Sequence, residues 1–363
     1  MPEKNNKYPK YKLIKDYVTD KIESKELVPG QQIPSENEFA HILNVSIITV
    51  RKAMSELVNE GIIYRVKGKG SFIAETPKEE NRANSKFLAL ILSGRDVNDS
   101  SYMRIIKGIR MYLMQKDYSL IIEFSEEDMQ LERKIIENLI EKRIDGFLLY
   151  SHEPEISLES FRLLKSKHIP FVAIDRFLNS FPMNYVAANN HDGAYEAIEY
   201  LLSLGHEKIA FVSFDKYLNT EKDRYEGYCN ALINSGINID KEIVYLDEVF
   251  DKEKFIAQAK NKDFTAVFAV NDLRALELLD ICLSNGIEVP KDISIMGFDD
   301  SEEATKYSKI PLTTVSQSFE KIGFEAAKVL AKAVEENNYE HTKLLLPTKL
   351  IIRQSTARKT DTI

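Results

Sequence analysis

Tryptophan is absent, cysteine occurs twice, and no run of 18 apolar residues occurs in the 363-residue chain. Each shortage excludes something. Cys229 and Cys282 lie in apolar, helix-like segments without CxxC spacing, which argues against a disulfide framework or thiolate metal site and suits a reducing compartment. The missing apolar run excludes a conventional membrane span. A polar, charged N-terminus without an apolar h-region excludes a usual signal peptide, so a cytoplasmic protein with no membrane partner is expected. Reactive motifs are missing too. His41, His152, His168, His191, His206 and His341 are scattered, with neither HExxH nor His/Cys spacing, and no metal is expected. GxSxG, P-loop and GxGxxG patterns do not occur, so neither an enzyme nor a cofactor is expected.

What remains is a chain 44% hydrophobic and 29% charged, with ample material for cores and a length that suits two or three domains. The net charge of −8 counts against nucleic acid only if it is spread evenly. Residues 1–75 hold 12 Lys and Arg against 10 Asp and Glu, which leaves 37 against 47 for the remainder. Placement therefore decides more than totals.

In residues 1–74, Leu13, Ile14, Tyr17, Val18 and Ile22 recur at helical spacing and predict a helix from Lys10 to Ser24. Pro29, Gly30 and Pro34 end it. Ser35 precedes Glu36, Asn37 and Glu38, an N-cap followed by acidic residues, and opens a second helix to about Leu43. Ser46 caps a third, whose apolar stripe is Val50, Ala53, Met54, Leu57 and Val58. Its opposite face shows Ile48, Arg51, Lys52 and Ser55. Two short helices joined around Asn44-Val45 make a helix-turn-helix, with the second available to a major groove. Two β-rich runs then flank Lys67-Gly68-Lys69-Gly70, a small basic hairpin tip suited to a phosphate backbone or narrow minor groove. A solvated helix face and a flexible turn explain each feature singly. Their order within 70 residues favours operator DNA as a partner.

The runs PSENEFA and VSIITVRKAMSELVNEGIIYRVKGKGSFIA resemble the DNA-binding domain of the GntR family. That resemblance implies a small α+β winged helix-turn-helix. It places Ser35, Glu36, Ser46, Thr49, Arg51 and Lys52 near DNA, with Gly68 at the wing tip between Lys67 and Lys69. Ile47 stands where the family usually has Arg, and Asn37 where a basic residue is frequent. Ile47 can touch a thymine methyl but cannot donate a hydrogen bond.

Residues 75–86 are polar and charged and read as a linker. Beyond them apolar strands alternate with amphipathic helices. Strands are predicted at 87–92, 120–124, 146–150, 171–174, 209–213, 243–246, 266–270 and 293–297, and helices at 102–116, 131–142, 157–167, 193–204, 255–260 and 273–285. This is an α/β pattern with parallel sheet, compatible with one sheet, a barrel or two sheets. Ligands of open parallel sheets bind beyond the strands' carboxyl ends. Asp175-Arg176, Asn271-Asp272 and Asp299-Asp300 stand there, and Arg224 follows a strand-end loop. Asp272 and Asp300 also read as helix N-caps. Acceptors with an Arg and amides suit a polyhydroxylated ligand. Its ring needs an apolar face, for which Tyr102, Phe124 or Phe250 is available.

The runs YLLSLGHEKIAFV, DRYEGY, AVNDLRALELL, VPKDISIMGFDD and PLTTVSQ resemble the effector domain of LacI/GalR repressors. The resemblance implies a two-lobed, periplasmic-binding-protein-like domain over 87–363, crossed near residues 187 and 316. Lobe 1 is then about 87–186 and 318–340, and lobe 2 about 187–317 and 341–356. The implied ligand set is Asp175, Arg224, Asn271, Asp299 and Gln317, with Tyr102 and Phe250 added as ring contacts. A GntR-type reader on a LacI-type sensor is the pairing of the arabinose-repressor subfamily of Gram-positive bacteria, which the closing KLIIRQSTARK also resembles. It implies a small sugar effector, L-arabinose or a related pentose, controlling a repressor. A homodimer is expected because symmetric operators match two-fold proteins. A purine or phosphorylated sugar is the alternative effector, and a sugar-acting enzyme a remote one.

Overall fold

The computed structural model describes residues 10–24, 26–43, 45–59, 62–66, 68–74, 85–94, 100–151, 153–155, 157–214, 218–246, 249–336 and 341–359. Two compact units divide at residues 84/85. Most of the expected linker, residues 75–84, lies outside the described residues, as does Lys67.

The first unit holds α1 (Lys10–Glu23), α2 (Glu36–Ile42) and α3 (Ile47–Asn59), then the antiparallel pair β1 (Ile63–Val66) and β2 (Gly70–Ile73). Ser35 starts α2 through a capping box: its hydroxyl accepts the Glu38 N–H, and the Glu38 carboxylate accepts the Ser35 N–H at 2.7 Å. Ser46 starts α3 by accepting the Thr49 N–H at 3.2 Å. Val50, Ala53, Met54 and Leu57 are fully buried against Ile14, Val18 and Phe39. Ile63 and Ile73 face each other across the hairpin and join the same core. At the tip Gly68 takes φ +78°, where an L side chain is strained.

The second unit contains two six-stranded sheets. In chain order its elements are β3 (Phe87–Leu92), α4 (Ser100–Leu113), β4 (Ser119–Phe124), α5 (Met129–Glu141), β5 (Gly146–Tyr150), α6 (Leu158–Ser166), β6 (Phe171–Ile174) and β7 (Asn184–Ala188). There follow α7 (Asn190–Ser203), β8 (Ile209–Val212), α8 (Asn219–Asn234), β9 (Val244–Tyr245), α9 (Lys252–Asn261), β10 (Ala266–Ala269), α10 (Asp272–Ser284) and β11 (Ser294–Asp299). The last are β12 (Thr313–Ser316), α11 (Phe319–Glu336), β13 (Lys343–Leu346) and β14 (Lys349–Ile351). One sheet has the order β13-β7-β6-β5-β3-β4 and is wholly parallel. The other has the order β14-β12-β11-β10-β8-β9, with only β14 antiparallel. Central strands such as β5 and β10 are buried along their whole length, as sheets covered on both faces require.

This topology corrects the expected lobe boundaries. Residues 343–346, expected in lobe 2, pair with Tyr185–Ala188 and complete the first sheet. The chain thus changes lobes around residues 189, 317 and 347–348. β7, β12, β13, β14, α8 and α11 also join the predicted elements. α11 lies against α4, and their backbones touch because two glycines face across: a Cβ at Gly108 would stand 1.8 Å from the Glu320 carbonyl oxygen, and one at Gly323 2.2 Å from that of Ile105.

Candidate DNA-reading face and ligand cavity

On α3, Ser46, Ile47, Ile48, Arg51, Lys52 and Ser55 are exposed while the stripe beneath is buried, so the basic face is a true surface. Glu36, at the start of α2, accepts from Arg51 Nε at 2.9 Å and from Arg65 of β1 at 3.1 Å. One carboxylate therefore aligns a guanidinium from the helix with one from the wing. Arg65 was not anticipated, because nothing local links it to a residue 29 positions earlier. Lys52 lies over the Tyr11 ring at 4.4 Å, a cation–π contact that ties it toward α1. Thr49 is half-buried and shares its hydroxyl with Ser46 at 2.8 Å. Gly68 and Lys69 form the exposed wing tip, closed by the Lys69 N–H on the Val66 carbonyl.

In the second unit a cavity of about 140 Å³ lies at the carboxyl ends of β5, β6, β10, β11 and β12. Asp175, Arg224, Asn271, Asp299 and Gln317 all line it. Its lining includes neither Tyr102 nor Phe250. Tyr102 is buried in the first lobe's core, edge-on to Tyr150, and Phe250 packs on Tyr245 and Phe255. The aromatic faces at the cavity are instead Tyr150, the last residue of β5, and Phe319, the first of α11. Tyr150 obeys the strand-end rule that identified the polar set, and Phe319 follows the end of β12.

The polar groups hold one another. Arg224 is buried; it donates to Asn190 Oδ1 at 2.8 Å and the Val270 carbonyl at 2.7 Å, lies 3.4 Å from Asp299, and stacks on Phe298 at 3.8 Å. Gln317 Nε2 donates to Asp299 at 2.6 Å. That carboxylate can only accept, so it fixes the amide and leaves Gln317 Oε1 buried with no protein partner among the described residues. Asn271 caps α10, accepting the Arg274 N–H at 2.9 Å, which leaves its Nδ2 to donate. Asn271, and not Asp272, is thus the N-cap. Asp272 accepts from Ser301 N–H at 2.7 Å and the Thr314 hydroxyl at 2.5 Å, and burial, then the Asp299 charge, push its pKa up to about 7. Asp300 pairs with Arg353 at 2.6 Å. Asp175, Asp299 and Asp300 have φ of +65°, +118° and +57°, a concentration of backbone strain at strand ends typical of ligand sites.

Arg104, Arg176, Glu221 and Thr220 also line the cavity. Burial opposes charge on Arg176, but Tyr150, Asp175, Glu221 and Asp299 more than offset it and hold its pKa above that of ordinary arginine. Glu221 accepts from the Ser213 hydroxyl and from the Phe214 N–H at 3.2 Å. Arg104 reaches from α4 of the first lobe to second-lobe carbonyls, those of Asp300 at 3.2 Å and Gln317 at 3.0 Å. Three guanidinium groups thus face three carboxylates. Among the described residues no cluster of three or more His, Cys, Asp or Glu is arranged to hold a metal, and no helix is long and apolar enough to cross a membrane.

Residues 10–73 match the family model of bacterial regulatory proteins of the gntR family, and residues 198–356 that of the periplasmic binding protein-like domain. The chain is 29% identical over 366 residues to the arabinose metabolism transcriptional repressor of Halalkalibacterium halodurans, covering 96% of each chain. To that of Geobacillus stearothermophilus it is 28% identical, covering 97% of this chain and 99% of the relative. A LacI family transcriptional regulator from Enterococcus faecium, solved with bound ribose, superimposes with a TM-score of 0.63 at 25% identity, over 76% of this chain and all of the other. The chain is therefore a transcription regulator, not an enzyme, that joins a gntR-family winged helix-turn-helix to a periplasmic binding protein-like domain of LacI-family architecture.

Proposed function

We propose that a neutral monosaccharide, L-arabinose or a related pentose, occupies the cavity and sets this repressor's affinity for operator DNA. The observation that carries the reading is the balance of three guanidinium groups against three carboxylates, supplemented by the Gln317 carbonyl and Asn271 amide. Each sugar hydroxyl both donates and accepts, so a mixed set of balanced charge suits it, whereas a phosphorylated sugar needs a surplus of cations. The cavity volume, well under the roughly 300–1,000 Å³ of drug-sized sites, supports a small ligand. Relatives named for arabinose metabolism and a structural neighbour holding ribose, also a pentose, support the class.

Ser35, Glu36, Ser46, Ile47, Thr49, Arg51 and Lys52, with Gly68, Lys67 and Lys69 of the wing, are the residues assigned here to DNA. Arg51 and Arg65, aligned by Glu36, add a joint helix-and-wing contact. A ligand gripping both lobes favours one lobe arrangement over another, and that preference is the only free energy available to alter DNA affinity. The protein works as a homodimer; exposed Met103, Met111 and Met114, on and just after α4, give a second copy an apolar surface to cover.

Isothermal titration of the full chain with L-arabinose, ribose, ribose 5-phosphate and hypoxanthine tests the ligand class. Anisotropy on a duplex selected by the protein from random DNA then tests coupling. Tighter binding of the phosphate ester or purine sinks the sugar assignment, and an unchanged DNA affinity at saturating sugar sinks the coupling.

A further inference from the structure

A second concavity, of about 550 Å³, opens at the opposite end of the second lobe's sheet. Its walls come from the segments that precede β8, β10 and β11 and from the chain's last described residues, so it lies at the strands' amino ends, away from the sugar cavity. Lys208, Lys262, Lys291, Arg358 and Lys359 line it, against Glu207 and Asp292. Lys291 is neutralised by Glu288 at 3.0 Å, and Asp292 is occupied with the Glu288 N–H at 2.8 Å. Among the described residues no ion pair involves Lys208, Arg358 or Lys359. Clustered like charge destabilises a fold unless something else is gained from it.

The frame is rigid although the cations are exposed. His206 is buried at the floor; it is within 3.0 Å of the Ala357 carbonyl through Nε2 and 2.9 Å of the Thr265 hydroxyl through Nδ1. Nε2 donates to that carbonyl, and Nδ1 shares a hydrogen bond with the hydroxyl. Burial, joined by the nearby Lys359 charge, lowers its pKa against the opposing hydrogen bond to Ala357. Ser294 exchanges hydrogen bonds with Ala357 at 3.1 and 3.3 Å, and the Lys359 N–H donates to Leu204 O at 2.9 Å. These bonds hold the backbone of Arg358 and Lys359 at the same rim as Lys208.

We propose that this concavity binds a small organic phosphate carrying two or more negative charges. Phosphate oxygens accept from several donors at once, which a neutral sugar or single carboxylate cannot match. The volume falls within the roughly 300–1,000 Å³ of metabolite-sized sites, so it suits an ester such as a sugar bisphosphate or a nucleoside triphosphate and exceeds what one inorganic ion fills. The proposal is independent of which sugar fills the other cavity.

The test is titration calorimetry of the full chain with fructose 1,6-bisphosphate, ATP and inorganic pyrophosphate, on the unaltered protein, K208E/R358E and R224Q. At least one of the two organic phosphates binds the unaltered protein at 1:1, more tightly than pyrophosphate and more weakly as salt rises. K208E/R358E loses about a hundredfold or more, since two charge-assisted hydrogen bonds are removed and both charges reversed. R224Q binds as before, and K208E/R358E keeps the operator affinity of the unaltered chain. The proposal is overturned if neither organic phosphate binds at about 1 mM, if K208E/R358E binds equally well, if R224Q is the variant that abolishes binding, or if K208E/R358E weakens DNA binding instead.

Discussion

Asp272→Asn tests the electrostatics beneath the cavity. Asp272 is 1% exposed, and its pKa lies near 7 in the fold against 3.8 for an ordinary aspartate. Between those values the folded protein holds a proton that the unfolded chain has released. The contribution of Asp272 to stability is therefore most favourable below about pH 4 and falls as pH rises through 7, by up to about 1.4 kcal/mol per pH unit. Over the whole interval the loss is at most about 4 kcal/mol. Asparagine keeps the shape and removes the charge: its Oδ1 can accept the Ser301 N–H while its Nδ2 donates to the Thr314 hydroxyl. The variant should match the unaltered protein near pH 4.5 and exceed it at pH 8, by about 1 to 4 kcal/mol. Asp223, raised to about 6 by burial and then by Glu226, keeps some slope in both proteins. Urea unfolding followed by far-ultraviolet circular dichroism at several pH values reads the difference. Parallel pH curves, or a less stable variant at pH 8, would refute the reasoning.

Arg51→Ala should weaken operator binding without changing sugar affinity, and Arg224→Gln should do the reverse; anisotropy and calorimetry on the same preparations check the separation. Gln317→Leu removes the unpartnered acceptor and the donor to Asp299, so sugar affinity should fall about threefold to tenfold, the worth of one neutral hydrogen bond. An unchanged affinity would place the sugar elsewhere. Gly108→Ala forces a methyl into the α4–α11 contact and should cost about 1–3 kcal/mol, seen as a lower Tm of the sensor unit without loss of DNA binding by the reader.

The helices of the first unit were legible in the sequence almost residue by residue. They are set by caps and stripes that act within a few positions: Ser35 with Glu38, Ser46 with Thr49, and Val50 through Leu57 on one face. The strands of the sensor announced themselves as continuous apolar runs, and Asp175, Arg224, Asn271, Asp299 and Gln317 all reached one cavity. Elements with weak or short apolar signals, such as β13 and the polar α8, were missed or set in the wrong lobe.

Periodicity tells a residue which face is buried, but it does not tell which segment covers that face. Thus the sequence alone determined helix starts, strand runs and the residue types at strand ends. Only the folded chain decided that 343–346 completes the first sheet, that Arg65 meets Arg51 on one carboxylate, and that Arg104 crosses to the second lobe's carbonyls. It also exchanged Tyr102 and Phe250 for Tyr150 and Phe319 at the cavity, because an aromatic ring is claimed by whichever core or opening the long-range packing brings to it.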